Sequence, residues 1–241
     1  MDESSVERFA ILDLESVFQR LADENWQGIL IGGQAVNLYA QHYEHDIANI
    51  QSLMPLASRD LDFHGGPSEA RRAMQILNAT GRINDGTDFS PNAGVLKVRL
   101  ATEQILIIDI LTSVFGVSAS EMLRSSITWS LNDRIEIEVI HPLLLLESKL
   151  ACLRGLDQRG RQDGKHVELL ISVIASWLRE QLESPRDVFK AIERLAGMMM
   201  TPDGLAAYQR NIELWDSIPI VEMRSRVEYA CLLYTSPSPR D

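Results

Sequence analysis

The residue pattern of this chain predicts an α/β fold of the α+β kind, a mixed sheet flanked by helices and followed by a helical region. Three observations predict it. The first is the run Gly28-Ile29-Leu30-Ile31-Gly32-Gly33-Gln34-Ala35-Val36-Asn37-Leu38, apolar up to two glycines and then continuing at helical spacing, which reads as strand, tight turn, helix. The second is Asp60-Leu61-Asp62-Phe63, where acids and apolar residues alternate as on a strand with one wet and one buried face. The third is the change of pattern at His141, after which one helical segment follows another.

The elements follow in order. Leu14, Val17, Phe18 and Leu21 share a face at helical spacing, so a helix is expected over 6–21. The Gly28 strand comes next, then a helix from Gly33 to about Tyr43, and then a long irregular connection over 42–58 broken by Pro55. After the Asp60 strand, Pro67 opens a helix with Ala70, Ala73, Met74 and Leu77 on one face, ending near Gly81. Two strand pairs follow: 94–100 with 104–111, joined at Ala101-Thr102-Glu103, and 126–130 with 134–140, joined at Asn132-Asp133. Pro142 suits the first position of a helix running to Arg154, and Asp163 precedes a helix carrying Val167, Leu170, Ile171, Ile174 and Leu178. Ser184-Pro185-Arg186-Asp187 resembles a capping box, and Thr201-Pro202 starts one more helix. The expected organisation is a sheet domain over 1–140 and a helical domain over 141–230. Residues 231–241 end in Tyr234-Thr235-Ser236-Pro237-Ser238-Pro239-Arg240-Asp241, which resembles translated adapter read-through; they are expected to be a non-native tail and carry no fold argument.

Composition excludes several classes. With 45% hydrophobic residues and 24% charged, 241 residues suffice for a sizeable core. The longest charge-free aliphatic run, around Leu143 to Leu146, is far too short to span a bilayer. The start Met1-Asp2-Glu3-Ser4 lacks the basic and apolar regions of a secretory signal, so the expected location is cytoplasmic, with no membrane partner. A net charge of -11 argues against broad capture of nucleic acid, which rests on neutralising many phosphates. The densest basic stretch, Arg154, Arg159, Arg161 and Lys165 beside His166, reads equally as a solvated loop or a local phosphate contact. Cys152 and Cys231 stand far apart, so neither a disulfide framework nor a zinc site is indicated.

The two carboxylates of Asp60 and Asp62 on one strand face repel each other, and the usual remedy is a hard divalent metal shared with substrate phosphates. A third acid is available in Ile105-Leu106-Ile107-Ile108-Asp109-Ile110-Leu111, where a lone carboxylate in an apolar strand stays ionised at low cost only beside a cation. The glycine turn offers backbone N–H groups and a helix N-terminus to a phosphate.

A glycine pair at a helix start, Asp-x-Asp on a strand and a later strand Asp together resemble the polymerase-beta-like nucleotidyltransferase superfamily. More narrowly, Ile31-Gly32-Gly33-Gln34-Ala35-Val36-Asn37-Leu38 with Ser58-Arg59-Asp60-Leu61-Asp62-Phe63 resembles its AbiEii-like abortive-infection toxin branch. The stretch between Gly33 and Asp60 is longer than in minimal members and implies a loop or small insertion. The resemblance implies a nucleotidyltransferase mixed sheet whose glycine turn, Gly32, Gly33 and Gln34, meets the triphosphate with Arg59 close by. It implies that Asp60, Asp62 and Asp109 bind Mg2+, two ions in the expected arrangement. It also implies a helix lysine, matched by Lys149, and an acid at the next helix, matched by Asp163, as further catalytic residues; their plain alternatives are a solvated side chain and an N-cap. His64 and His141 are read as trimming a turn and a helix start.

The implied activity is transfer of a nucleotide from a nucleoside triphosphate to an acceptor hydroxyl. The branch further implies a toxin of a toxin-antitoxin or abortive-infection system, with tRNA or other RNA as acceptor and a cognate antitoxin as partner. Two alternatives stay open: a small-molecule, antibiotic-type nucleotidyltransferase, whose cationic acceptor would suit an acidic chain, and an inactive nucleotide- or protein-binding module of the same fold.

Overall fold

The computed structural model of the chain describes residues 7–48, 50–84, 90–132, 134–181, 185–223 and 225. The expected tail at 231–241, Cys231, Asp133 of the second hairpin and Ser184 of the capping box lie outside the described residues.

The architecture is a mixed α/β one, a seven-stranded sheet with helices packed on it. In chain order come α1 (Glu15–Asp23), β1 (Ile29–Ile31), α2 (Gly32–His42), β2 (Asp60–His64), α3 (Pro67–Ile76), β3 (Thr80–Ile83), β4 (Asn92–Arg99) and β5 (Ile105–Leu111). Then follow α4 (Ala119–Ser125), β6 (Ile127–Leu131), β7 (Ile135–Val139), α5 (Pro142–Gly155), α6 (Asp163–Glu180), α7 (Pro185–Met199), α8 (Pro202–Arg210) and the short α9 (Ile212–Trp215). No helix among the described residues is long and apolar enough to cross a membrane.

Strand order is β3-β4-β5-β2-β1-β7-β6, which puts β2 in mid-sheet, antiparallel to β1 and parallel to β5. A central strand must bury one face, and β2 does: Leu61 and Phe63 are buried while Asp60 and Asp62 are half-buried. The parallel register sets Asp62 opposite Asp109, and the antiparallel one sets Ile31, the last residue of β1, opposite Asp62. Thus the glycine turn and all three acids are brought to one end of the sheet by hydrogen-bond register alone.

The remaining differences from expectation have local causes. The first helix starts late, as a 3-10 turn over Ile11–Leu14 leading into α1, because Phe9 is committed to an antiparallel bridge with Ser58. The backbone pair Phe9 N to Ser58 O at 2.8 Å and Ser58 N to Phe9 O at 3.0 Å holds that segment extended. The helix expected to end near Gly81 stops at Ile76, and Thr80–Ile83 forms the edge strand β3, whose Thr80, Gly81 and Arg82 are exposed and show no alternation. The described residues of the long connection hold a 3-10 turn at Ile50–Leu53 and are otherwise irregular, as expected.

After Ile140 the described elements are all helices. α5 and α6 pack on each other and on α2, with Leu143, Leu144, Leu145, Leu146, Leu170 and Ile174 in the common core. His141 caps α5 as expected of a helix start, accepting a hydrogen bond on Nδ1 from the Leu143 N–H at 3.2 Å.

Candidate active site

At the end of the sheet where Asp62 and Asp109 pair, a cleft of about 580 Å³ opens between the strands and the helices α5 and α6. Its lining includes Gly32 and Gly33 from the turn, Arg59 just before β2, Asp60, Asp62 and Asp109 from the strands, and Lys149 and Asp163 from the helices. The structure therefore brings together every sequence-predicted site residue except Gln34. That side chain is buried and turned away: its Nε2 donates to the Phe9 carbonyl at 2.9 Å and its Oε1 accepts from Asn37 at 3.3 Å.

Gly32 has φ +69, and a Cβ there would overlap the Asp62 carboxylate, so only glycine lets the turn close against the acid. At Gly33 a Cβ would come within 2.7 Å of Ser58 Oγ and 3.3 Å of the His166 ring. The residue capping α2 is Ile31, which has no side-chain oxygen to offer, so the first N–H groups of this helix face the cleft without a side-chain cap. Free N–H groups, a favourable helix dipole and missing side chains are the three requirements of a phosphate seat.

Oxygens of Asp60, Asp62 and Asp109 all lie within 4.8 Å of one another. Ser58 Oγ donates to Asp60 at 3.1 Å, and among the described residues none of the three acids forms an ion pair. Burial, with repulsion from Asp60, pushes the Asp62 carboxyl up to about 7, against the opposing pull of Lys149. Burial and Asp60 likewise raise Asp109. The donor set is all oxygen, convergent and short of positive charge, which fits a hard divalent cation such as Mg2+.

The helical wall is the reverse. Lys149 Nζ meets Asp163 Oδ1 at 3.2 Å and Arg161 Nε meets Asp163 Oδ2 at 2.6 Å, with the Lys149 and Asp163 side chains only 9% and 2% exposed. Burial alone would raise the Asp163 carboxyl, but the Arg161 hydrogen bond and the Lys149 charge outweigh it and hold it below the usual range. Lys149 is buried rather than solvated, and the residue capping α6 is Gln162, with Asp163 buried beside it.

The basic stretch is mostly committed. Arg159 pairs with Asp157, Arg154 with Asp203 at 2.9 Å, and Lys165 donates to the Pro55 carbonyl at 2.7 Å. Arg161, tied to Asp163, and His166 both line the cleft; burial, aided by Lys149, drops the His166 pKa to about 3, so it is neutral at pH 7. Its Nδ1 has no hydrogen-bond partner among the described residues. The signal available for it in sequence was only its place one turn after Asp163. Cys152 also lines the cleft, but burial raises its thiol, which argues against a thiolate nucleophile.

No family model matches the chain, and no curated protein matches it. Among solved structures, one described as the crystal structure of the Megavirus polyadenylate synthase is similar, with a TM-score of 0.40 and 13% identity over 73% of this chain and 39% of that one. The chain thus spans well under half the length of that protein.

Proposed function

We propose that the chain is a metal-dependent nucleotidyltransferase, moving a nucleotide from a nucleoside triphosphate to an acceptor hydroxyl. One observation carries this reading: three carboxylates with oxygens within 4.8 Å of one another beside an uncapped glycine turn, in one cleft. In this reading residues 1–140 form the nucleotidyltransferase domain, and 141–230 form a helical domain that supplies the second wall. Asp60, Asp62 and Asp109 would hold Mg2+, which when bound supplies charge neutralisation of the triphosphate and a lowered pKa for the acceptor hydroxyl.

The chain's own residues do the rest. The N–H groups at Gly32 and Gly33 hold the triphosphate against the turn and orient its α-phosphorus toward the acids. Arg59, on the same lining, balances phosphate charge. Lys149, beside the carboxylates and tied to Asp163, adds fixed positive potential where negative charge develops as pyrophosphate leaves. Asp109, on the cleft lining, would take the acceptor proton, a role that its raised pKa supports. Asp163 keeps Lys149 in place.

The finer reading, an AbiEii-like toxin acting on tRNA or other RNA and restrained by a cognate antitoxin, rests on the resemblance of the two motifs. A small-molecule acceptor is the second reading, favoured by the net charge of -11, which attracts a cation. The test is to incubate the full chain with Mg2+ and each α-labelled nucleoside triphosphate, with either total cellular RNA or an aminoglycoside as acceptor. Label retained on RNA, and lost in Asp62→Asn, supports the first reading; label on the aminoglycoside alone supports the second. Label on neither, with pyrophosphate never released, overturns both.

A further inference from the structure

We propose that Phe115 is the stacking platform for the base of the nucleoside triphosphate, a role that rests on the reading of the cleft just given. Phe115 lies on the connection between β5 and α4 and is 52% exposed, yet it lines the same cleft as the acids and the glycine turn. Exposure of a large apolar ring is ordinary on a surface, and on the wall of a cleft that also holds charged groups it offers a ligand an apolar face.

The ring is also held. An isolated antiparallel bridge joins Val114 to Val117, with the Val117 N–H on the Val114 carbonyl at 3.2 Å, so the segment is a tied turn. On its other side the ring edge rests on Gly155 at the end of α5, where a Cβ would come within 2.7 Å of Cε1 and 2.8 Å of Cζ. Leu156 and Val114 continue the apolar patch along the lining. The remaining open surface is thus a flat apolar patch in the cleft that the acids and the glycine turn also line. A nucleoside triphosphate has the matching division, a flat apolar base at one end and a polyanion at the other. Stacking on a π-face is available to every base, so the platform sets affinity and favours purine over pyrimidine only by stacked area.

The test is binding of Mg2+-ATP and Mg2+-tripolyphosphate to the full chain, measured calorimetrically for wild type, Phe115→Ala and Phe115→Trp. Tripolyphosphate carries the anionic part without a base. Phe115→Ala should weaken ATP about 5- to 100-fold and leave tripolyphosphate unchanged. Phe115→Trp should restore ATP binding, and the fluorescence of the added indole should be quenched by ATP and not by tripolyphosphate. If both ligands bind wild type and Phe115→Ala alike, or if Phe115→Ala weakens both equally, the platform is wrong while the cleft reading stands. If neither ligand binds wild type in the presence of Mg2+, the cleft reading fails and the platform with it.

Discussion

The two walls of the cleft solve the problem of buried charge in opposite ways. On the helical wall, Lys149, Asp163 and Arg161 form a closed set in which each buried charge meets its opposite. On the strand wall, Asp60, Asp62 and Asp109 face one another with no ion pair among the described residues and one serine hydroxyl on Asp60, and Asp62 is forced up to about 7 despite the pull of Lys149. A fold selected for stability alone would not place three like charges on adjacent central strands, since each is costly to bury unpaired. The difference teaches that the helical wall is finished by folding, whereas in the proposed reading the strand wall is finished by a bound cation.

The largest expected effect comes from Asp62→Asn. In the proposed reading it removes a metal ligand and relieves repulsion at once, so activity and stability should move in opposite directions. Loss of roughly 3–5 kcal/mol of transition-state stabilisation is a fall of about two to four decades in rate, while the melting temperature of the metal-free protein should stay or rise. An Asp62→Asn protein that keeps wild-type turnover would erase the contrast between the walls.

Lys149→Met tests the other wall, and there both quantities should fall. Removing one partner of a buried pair leaves its counter-charge exposed to low dielectric, typically 3–5 kcal/mol. Because Arg161 still holds Asp163, about 3 kcal/mol is expected, read from urea denaturation. A Lys149→Met protein as stable as wild type would mean that the helical wall is no more finished than the strand wall.

How far the sequence reveals this contrast depends on what each feature requires. The strand acids are legible because alternation is a local pattern: Leu61 and Phe63 go one way, so Asp60 and Asp62 go the other, and a lone acid among isoleucines marks Asp109. The glycine turn is legible for the same reason. Edge strand β3 and α4 are not, since Thr80-Gly81-Arg82-Ile83 has little to bury and Met122 is the one buried residue of a seven-residue helix. The burial of Lys149 and Asp163 depends on how α5 meets α6, a tertiary fact, and their local spacing fits a solvated lysine and an N-cap equally well. Gln34 misleads because it follows the turn in sequence, yet its side chain is taken by Phe9 from a segment whose path only the fold determines. Phe115 and His166 matter through exposure and a missing partner, neither of which is written in residue order.

A ligand titration sharpens the comparison further. If the strand wall is completed by binding, Mg2+ and a nucleoside triphosphate together should raise the melting temperature, whereas triphosphate with a chelator should do little, because uncompensated carboxylates repel a polyanion. At ligand about 100 times its dissociation constant the gain is about 2.7 kcal/mol, or roughly 5–10 °C for a chain of this size. The double variant Asp60→Asn/Asp109→Asn should lose it. Equal stabilisation with Mg2+ and with chelator would favour the inactive binding module.

The smallest effect is in pH, and its sign separates the strand acid from the buried histidines. Asp62 titrates near 7 in the folded chain and near 3.8 unfolded, so between those values the native state carries the extra proton. Stability from this group therefore rises as pH falls from about 7 toward 4 and is lowest above 7. His166 and His141 run the other way. Burial drops them to about 3 and about 4, while unfolded histidine binds a proton below about 6.5, so acid favours the unfolded chain throughout that window. The two trends overlap in wild type, and a variant is needed to part them. In metal-free buffer, the melting advantage of Asp62→Asn over wild type should be greatest at pH 8 and shrink steadily toward pH 5, where the wild-type carboxyl has taken up its own proton. An advantage that stayed constant from pH 8 to pH 5 would show that Asp62 is not the strained group, and that the strand wall needs no partner to be at rest.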